Sequence, residues 1–172
     1  MSNYSPSTIA KTGELNPKCG LVCRTATTLN TSMFAATAVN IYKVTGRIRI
    51  VSLDIEAITA FSANASVPRW QFVSTTPAVA LTDISAGSST LSGLALAKTV
   101  VFQGTSLDTA LAISAVAGIT PKPANTMDIG WDGGLLHLAL DSDVAQTGST
   151  ATSIITLCYL PMSDGAAAEA LF

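Results

Sequence analysis

Charge is what this chain has least of. Only 12% of its 172 residues are Asp, Glu, Lys or Arg, about half the roughly 25% usual in soluble domains. Nine basic residues against eleven acidic ones leave a net charge of -2. There is no surplus of Lys and Arg to neutralise a row of phosphates, which disfavours a general nucleic-acid binder. Aromatics are scarce at 6% although hydrophobic residues reach 48%, so the apolar content lies mostly in Ala, Leu, Ile and Val. Three cysteines are too few for a disulfide scaffold, and a single histidine argues against a rich catalytic centre. Long apolar runs are missing as well. Residues 144–163 are uncharged but interrupted by Gln146, Gly148, Ser149, Thr150 and Thr152, and cannot supply the roughly 20 continuous apolar residues of a membrane helix. Residues 1–8 show neither the basic start nor the apolar core of a signal peptide. The expectation is a chain made and retained in a cytoplasm, where thiols stay reduced. Whole-chain disorder is disfavoured too, because it needs low hydrophobicity and high net charge.

What is present reads as an arm and a body. Residues 1–38 are rich in Ser, Thr, Asn and Ala, carry Pro6 and Pro17, and show little periodicity, which suits a flexible or extended arm. A short helix near Thr31–Ala38 is one option within it. The body, residues 39–172, opens with a strand over Ile41–Thr45, and Gly46 then permits a bend. From Arg47 to Ala57 apolar and polar residues alternate, but the apolar set moves from even positions (Ile48, Ile50) to odd ones (Val51, Leu53, Ile55, Ala57). A regular strand cannot change faces in this way, so a β-bulge or a change of buried face is expected between Ile50 and Val51. Further strands are expected over Arg69–Val73, Ala78–Leu81, Lys98–Phe102, Met127–Trp131, Leu135–Leu140 and Ile155–Leu160. Leu107–Ala117 has a composition compatible with a helix. Short strands punctuated by Gly, Pro and Asp predict a mainly β protein, an antiparallel β-sandwich or jelly-roll-like barrel with an extended N-terminal arm.

Few residues carry chemistry. Cys19 and Cys23, with Cys158 and His137 downstream, could complete a tetrahedral zinc site, but such sites usually draw on closer paired ligands. The simpler expectation is that Cys158 is a small core residue and the arm cysteines are unpaired. Asp128, Asp132, Asp141 and Asp143 could offer oxygens to calcium, yet the fixed offsets and closing Glu of an EF-hand loop are missing. Asp141 after Leu140 suits a strand end and turn. His137 is the sole imidazole base for a nucleophilic hydrolase, and no Gly-x-Ser-x-Gly elbow accompanies it. Asp54 and Glu56 share a strand face, as a pair of glycosidase carboxylates would, and as any solvated edge does. Gly87-Ser88-Ser89 lacks the continuation of a phosphate-binding loop. Lys43, Arg47 and Arg49 form the one local basic cluster, with Arg47 and Arg49 expected on one strand face to meet acidic neighbours or to discourage edge pairing. No catalytic, cofactor-binding or metal-binding residue is assigned, and no cofactor is expected.

Two segments carry a resemblance. Tyr42-Lys43-Val44-Thr45-Gly46-Arg47-Ile48-Arg49-Ile50-Val51-Ser52-Leu53 gives a Val-Thr-Gly opening followed by an apolar strand. Leu157-Cys158-Tyr159-Leu160-Pro161-Met162-Ser163-Asp164-Gly165-Ala166 gives a final strand, Tyr-x-Pro, then Asp-Gly-Ala. Between them, Thr82-Asp83-Ile84 and the strand around Ile129 fall in an order compatible with the pattern. Over residues 40 to 168 the pattern resembles the head-decoration, cement or head-fibre proteins of tailed bacteriophages. The long arm and the cysteines are not part of it. The resemblance implies a non-enzymatic virion component. Its β-rich body would associate as a homotrimer on the capsid surface, after synthesis in the host cytoplasm, with the major capsid protein as partner and neither nucleic acid nor membrane bound. Other readings are a different virion part (tail, neck or fibre) or a carbohydrate-binding module in which Trp70, Trp131 or Tyr159 stacks on sugar.

Overall fold

The computed structural model describes residues 20–29, 37–61, 63–88, 91–92, 94–95, 98–102, 112–113, 126–146 and 152–172. Among the described residues eleven strands are formed: β1 Val22–Leu29, β2 Val39–Thr45, β3 Ile48–Ala57, β4 Pro68–Thr76, β5 Ala78–Asp83, β6 Thr99–Val101, β7 Ala112–Ile113, β8 Met127–Ile129, β9 Leu135–Ser142, β10 Thr152–Pro161 and β11 Ala167–Ala170. Sheet one runs β1-β10-β3-β6-β7, with β8 also paired to β3, and sheet two runs β11-β2-β9-β4-β5. Every pairing is antiparallel. The two sheets pack face to face as a β-sandwich and do not close into a barrel. The chain passes repeatedly from one sheet to the other, as between β1, β2, β3 and β4 and between β8, β9, β10 and β11, so strands next to each other in sequence there supply opposite walls of one core.

The alternation of side chains decides what fills that core. Sheet two contributes Tyr42, Val44, Trp70, Leu136, Leu138 and Leu140, and sheet one contributes Ile48, Ile50, Leu53, Ile55, Val100, Ile155, Leu157 and Tyr159, all buried. Of the two options for β3, the bulge is the one present, and the buried face does not change. Cys158 pairs with Ser52 while Tyr159 pairs with Ile50, so Val51 is the extra residue of a bulge. That one residue lets Ile48 and Ile50 point the same way as Leu53, Ile55 and Ala57.

Two tyrosines join the sheets through polar bonds inside the core. The Tyr42 hydroxyl donates to the Ile155 carbonyl at 2.8 Å and lies 3.1 Å from the Arg24 carbonyl. Burial pushes its phenol well above the ordinary value, so it stays a donor. The Tyr159 hydroxyl accepts from the Ala168 amide at 2.9 Å, and the Ala168 carbonyl accepts from Arg24 Nε at 2.9 Å. Tyr42→Phe keeps the ring but leaves buried carbonyls without this donor. It should cost about 1–3 kcal/mol in urea unfolding.

Three expectations need correction. β1 lies inside the segment read as an arm, yet it is hydrogen-bonded along its length to β10. Its Thr-rich, small-residue sequence suits an edge strand as well as a tail. Residues 112–113, within the stretch given a helical composition, form strand β7 against β6, because pairing with β6 overrides local preference. Thr37 and Ala38, at the end of the short helix considered, are not helical. The remaining residues of both candidate helices lie outside the described ones.

Candidate functional site

The two segments that carry the sequence resemblance meet at one end of the sandwich. β2 turns into β3 through Gly46, whose φ is 72°, and β10 turns into β11 through Met162–Ala166. The Arg47 amide donates to Ser163 Oγ at 2.9 Å, and the Met162 amide donates to the Arg47 carbonyl at 2.8 Å. β11 then pairs with β2, with Ala167 opposite Thr45. A third turn joins them: the Gly46 amide donates to the Gly134 carbonyl at 2.9 Å. A Cβ on Gly46 would stand 2.7 Å from Ser163 Oγ, and one on Gly130, whose φ is 89°, would stand 2.3 Å from the Gly46 carbonyl oxygen. Val-Thr-Gly and Asp-Gly-Ala are therefore two halves of one tightly built junction.

Several of the described charged residues are committed to short structural bonds. Arg49 grips Asp128 of β8 with two bonds, at 2.6 and 2.9 Å. The hydrogen bond from Arg49 holds the Asp128 carboxyl below its usual range. The basic cluster thus meets acidic neighbours, Arg49 and the charge of Arg47 acting on Asp128 and Lys43 standing opposite Glu169 in the β2–β11 register, but Arg47 lies in the turn, exposed, and does not share a strand face with Arg49. Arg69 of β4 bonds Asp141 at 2.9 Å and Asp143 at 2.7 Å. The carboxylates considered for calcium at 128, 141 and 143 are accordingly paired with guanidinium groups. Among the described residues, no group of three or more His, Cys, Asp or Glu could hold a metal ion.

The cysteines correct the sequence reading outright. Cys23 and Cys158 face each other in the β1–β10 register and form a disulfide. Cys158 is a half-buried residue on the outward face, not a core residue, and Cys23 is exposed. The zinc set is not assembled, since two of its thiols are bonded to each other and His137 lies on β9 of the other sheet. Cys19 lies outside the described residues. His137 sits across from Lys43 and Val73, an arrangement without an adjacent nucleophile and orienting carboxylate in the ladder. Trp70 and Tyr159 are fully buried and cannot stack on a sugar, while Trp131 is half-buried and meets Phe72 edge-on at 6.1 Å.

Two features escaped the sequence. Gln146, 1% exposed, donates to Ser66 Oγ at 2.8 Å and to the Asn64 carbonyl at 3.0 Å, while Ser66 Oγ donates to the Val144 carbonyl at 2.6 Å. This polar network ties the segment after β3 to the segment after β9, and its Ser, Asn and Gln look like ordinary loop residues in the sequence. Strand β5 is the edge of sheet two, and none of its residues is buried. Ala78-Val79-Ala80-Leu81 carries no charge, and Leu81 is 48% exposed. Natural edges usually bear charge, proline or a cover; here Pro77 precedes the strand and Asp83 ends it, and the uncharged stretch between them is suited to association.

Asp54 is the one described carboxylate pushed strongly upward. It lies on the outward face of β3, opposite Val101 and Thr156. Val101 is buried there although it points away from the core, so this part of the outer face is covered. Desolvation raises the Asp54 carboxyl from 3.8 to about 6, offset in part by a hydrogen bond from Ser52, and its Oδ1 has no partner. The native state therefore binds more protons than the unfolded chain between these values, and stability falls as pH rises through that window. Asp54→Asn should remove this loss. With the group partly solvated, the expected gain is about 1 kcal/mol at pH 7 relative to pH 4, read as the difference between variant and parent in urea unfolding at the two pH values.

No helix among the described residues is long and apolar enough to cross a membrane. Neither the protein-family models, nor the curated proteins, nor the solved structures contain a match to this chain.

Proposed function

We propose that this protein is a non-enzymatic structural component of a virus particle: a capsid decoration, or cement, protein that binds the outside of a bacteriophage head as a homotrimer. The observation that carries the reading is the junction between Val44-Thr45-Gly46 and Ser163-Asp164-Gly165-Ala166. Segments more than a hundred residues apart, each resembling the decoration-protein pattern, are built into one bonded unit. The pairing of β10 with β3 and of β11 with β2 brings the two turns together at one end of the sandwich. The rest of the surface fits a role in assembly. Charges are few and several are neutralised in place, which lowers the desolvation cost of covering large areas. The open edge of β5 offers backbone groups and small apolar side chains to a neighbour. A trimer touching several capsid subunits binds with avidity, and binding the assembled lattice more tightly than its parts shifts stability towards the lattice.

The test is sedimentation of the purified protein alone and with undecorated phage heads. The protein alone should behave as a trimer, and it should pellet with the heads until their sites are filled. A monomer that stays in the supernatant at every head concentration would overturn the reading.

A further inference from the structure

We propose that the Cys23–Cys158 disulfide is a redox-operated clasp that decides whether β1 stays on its sheet. This inference stands independently of the function proposed above.

Its first support is position. β1 is an edge strand of sheet one and, among the described residues, pairs with β10 alone. The eight-residue ladder runs from Val22 opposite Tyr159 to Leu29 opposite Thr152, and Cys23 and Cys158 form its second rung. Opening β1 breaks this one ladder and leaves the β10–β3 ladder whole.

Its second support is how little else holds β1. Of residues 22–26, only Val22 and Ala26 are buried in the core. The adjacent strand β10 buries Ile155, Leu157 and Tyr159, and β3 buries Ile48, Ile50, Leu53 and Ile55. Polar ties of β1 to sheet two include the bonds of Arg24 to Ala168 and of Tyr42 to the Arg24 carbonyl. An edge strand with one hydrogen-bonded side, and with only Val22 and Ala26 buried among residues 22–26, opens at low free energy unless it is cross-linked.

Its third support is access. The bond lies on the outward face of the sheet, with Cys23 exposed and Cys158 half-buried, so a small thiol can reach a sulfur without unfolding the core. The exchange is balanced. In closing, a thiolate of one cysteine attacks a small-molecule disulfide and forms a mixed disulfide, expelling one thiolate. The second cysteine attacks that mixed bond, forms Cys23–Cys158 and expels the other thiolate. The two cysteine protons end on the two expelled thiols, and the two electrons pass to the small molecule. Opening is the reverse, with a dithiol as reductant. Reducing surroundings thus favour a loose β1, and oxidising surroundings a fastened one.

Hydrogen exchange followed by mass spectrometry on the full chain, with and without dithiothreitol, tests this. In the oxidised protein residues 22–29 should be protected like β10. Reduction should speed their exchange by roughly tenfold or more, while β4 and β9 remain unchanged. A Cys23→Ser/Cys158→Ser variant should show the loose pattern in both buffers. Equal protection of β1 with and without reductant would overturn the proposal. So would uniform loss of protection in all strands, which would make the bond a staple of the whole fold. Three titratable thiols in the oxidised protein would overturn it as well. Should the double variant fail to fold, the comparison of the parent chain in the two buffers still decides.

Discussion

Gly130→Ala is expected to lower the free energy of unfolding by about 3 kcal/mol or more, combining left-handed backbone strain with a backbone clash. The first cost is conformational: Gly130 has φ 89°, a region where a side chain is disfavoured. The second is steric. The new methyl would lie 2.3 Å from the Gly46 carbonyl oxygen and 3.4 Å from Arg47 Cα. These are backbone atoms of the β2–β3 turn, so no rotamer change relieves the contact. The turn would have to move, and it is the turn that bonds Ser163 and Met162. Gly133→Ala provides the comparison. Gly133 also has positive φ, 70°, but a Cβ there meets nothing within 4 Å, so only the conformational cost of about 1–2 kcal/mol remains. Urea unfolding of the two variants should show the larger loss at Gly130. Equal losses would mean that the junction is not tightly built.

Trp70→Ala is expected to cost about 3–5 kcal/mol, the range for emptying a large buried aromatic site. Trp70 has no exposed surface and is the largest fully buried side chain. Its amide donates to the Trp70-facing Ser85 hydroxyl oxygen at 2.9 Å, and its carbonyl accepts from the Ile84 amide at 2.9 Å, so the backbone around the hole is held and cannot collapse freely. Trp70→Phe separates volume from polarity. The indole Nε1 is buried without a hydrogen-bond partner, and losing it removes an unpaired donor that costs about 1–3 kcal/mol. Phe should therefore destabilise much less than Ala. A Trp70→Ala variant as stable as the parent would show that the ring is not in the core, and would reopen the sugar-stacking role that burial removes.

Much of the sandwich was legible from periodicity, and the reasons are specific. The switch of apolar parity between Ile50 and Val51 could be reconciled with one buried face only by a bulge, and the bulge is there. Leu136, Leu138 and Leu140 alternate with half-exposed residues and Ala139 because β9 has one face on the core. Strands whose signal comes from pairing were harder to read. Ala167-Ala168-Glu169-Ala170 has no β-branched residue, and it is a strand because β2 offers it an edge. β1 consists largely of small and polar residues, so its sequence does not distinguish an edge strand from a tail. The disulfide depends on a register between positions separated by 135 residues, information that no local pattern holds. The same is true of the Arg69 clamp on Asp141 and Asp143: the spacing of the two carboxylates shows them together, but not the cation that joins them. The junction was half visible, as two separate motifs whose contact only the fold reveals.

The central claim is that this chain acts by binding to its own copies and to a shell. Electron cryomicroscopy of undecorated phage heads incubated with the purified protein tests it most directly. The account predicts added density on the outer surface, in threefold clusters into each of which three copies of the sandwich fit. Heads whose surface stays bare at saturating protein would contradict it.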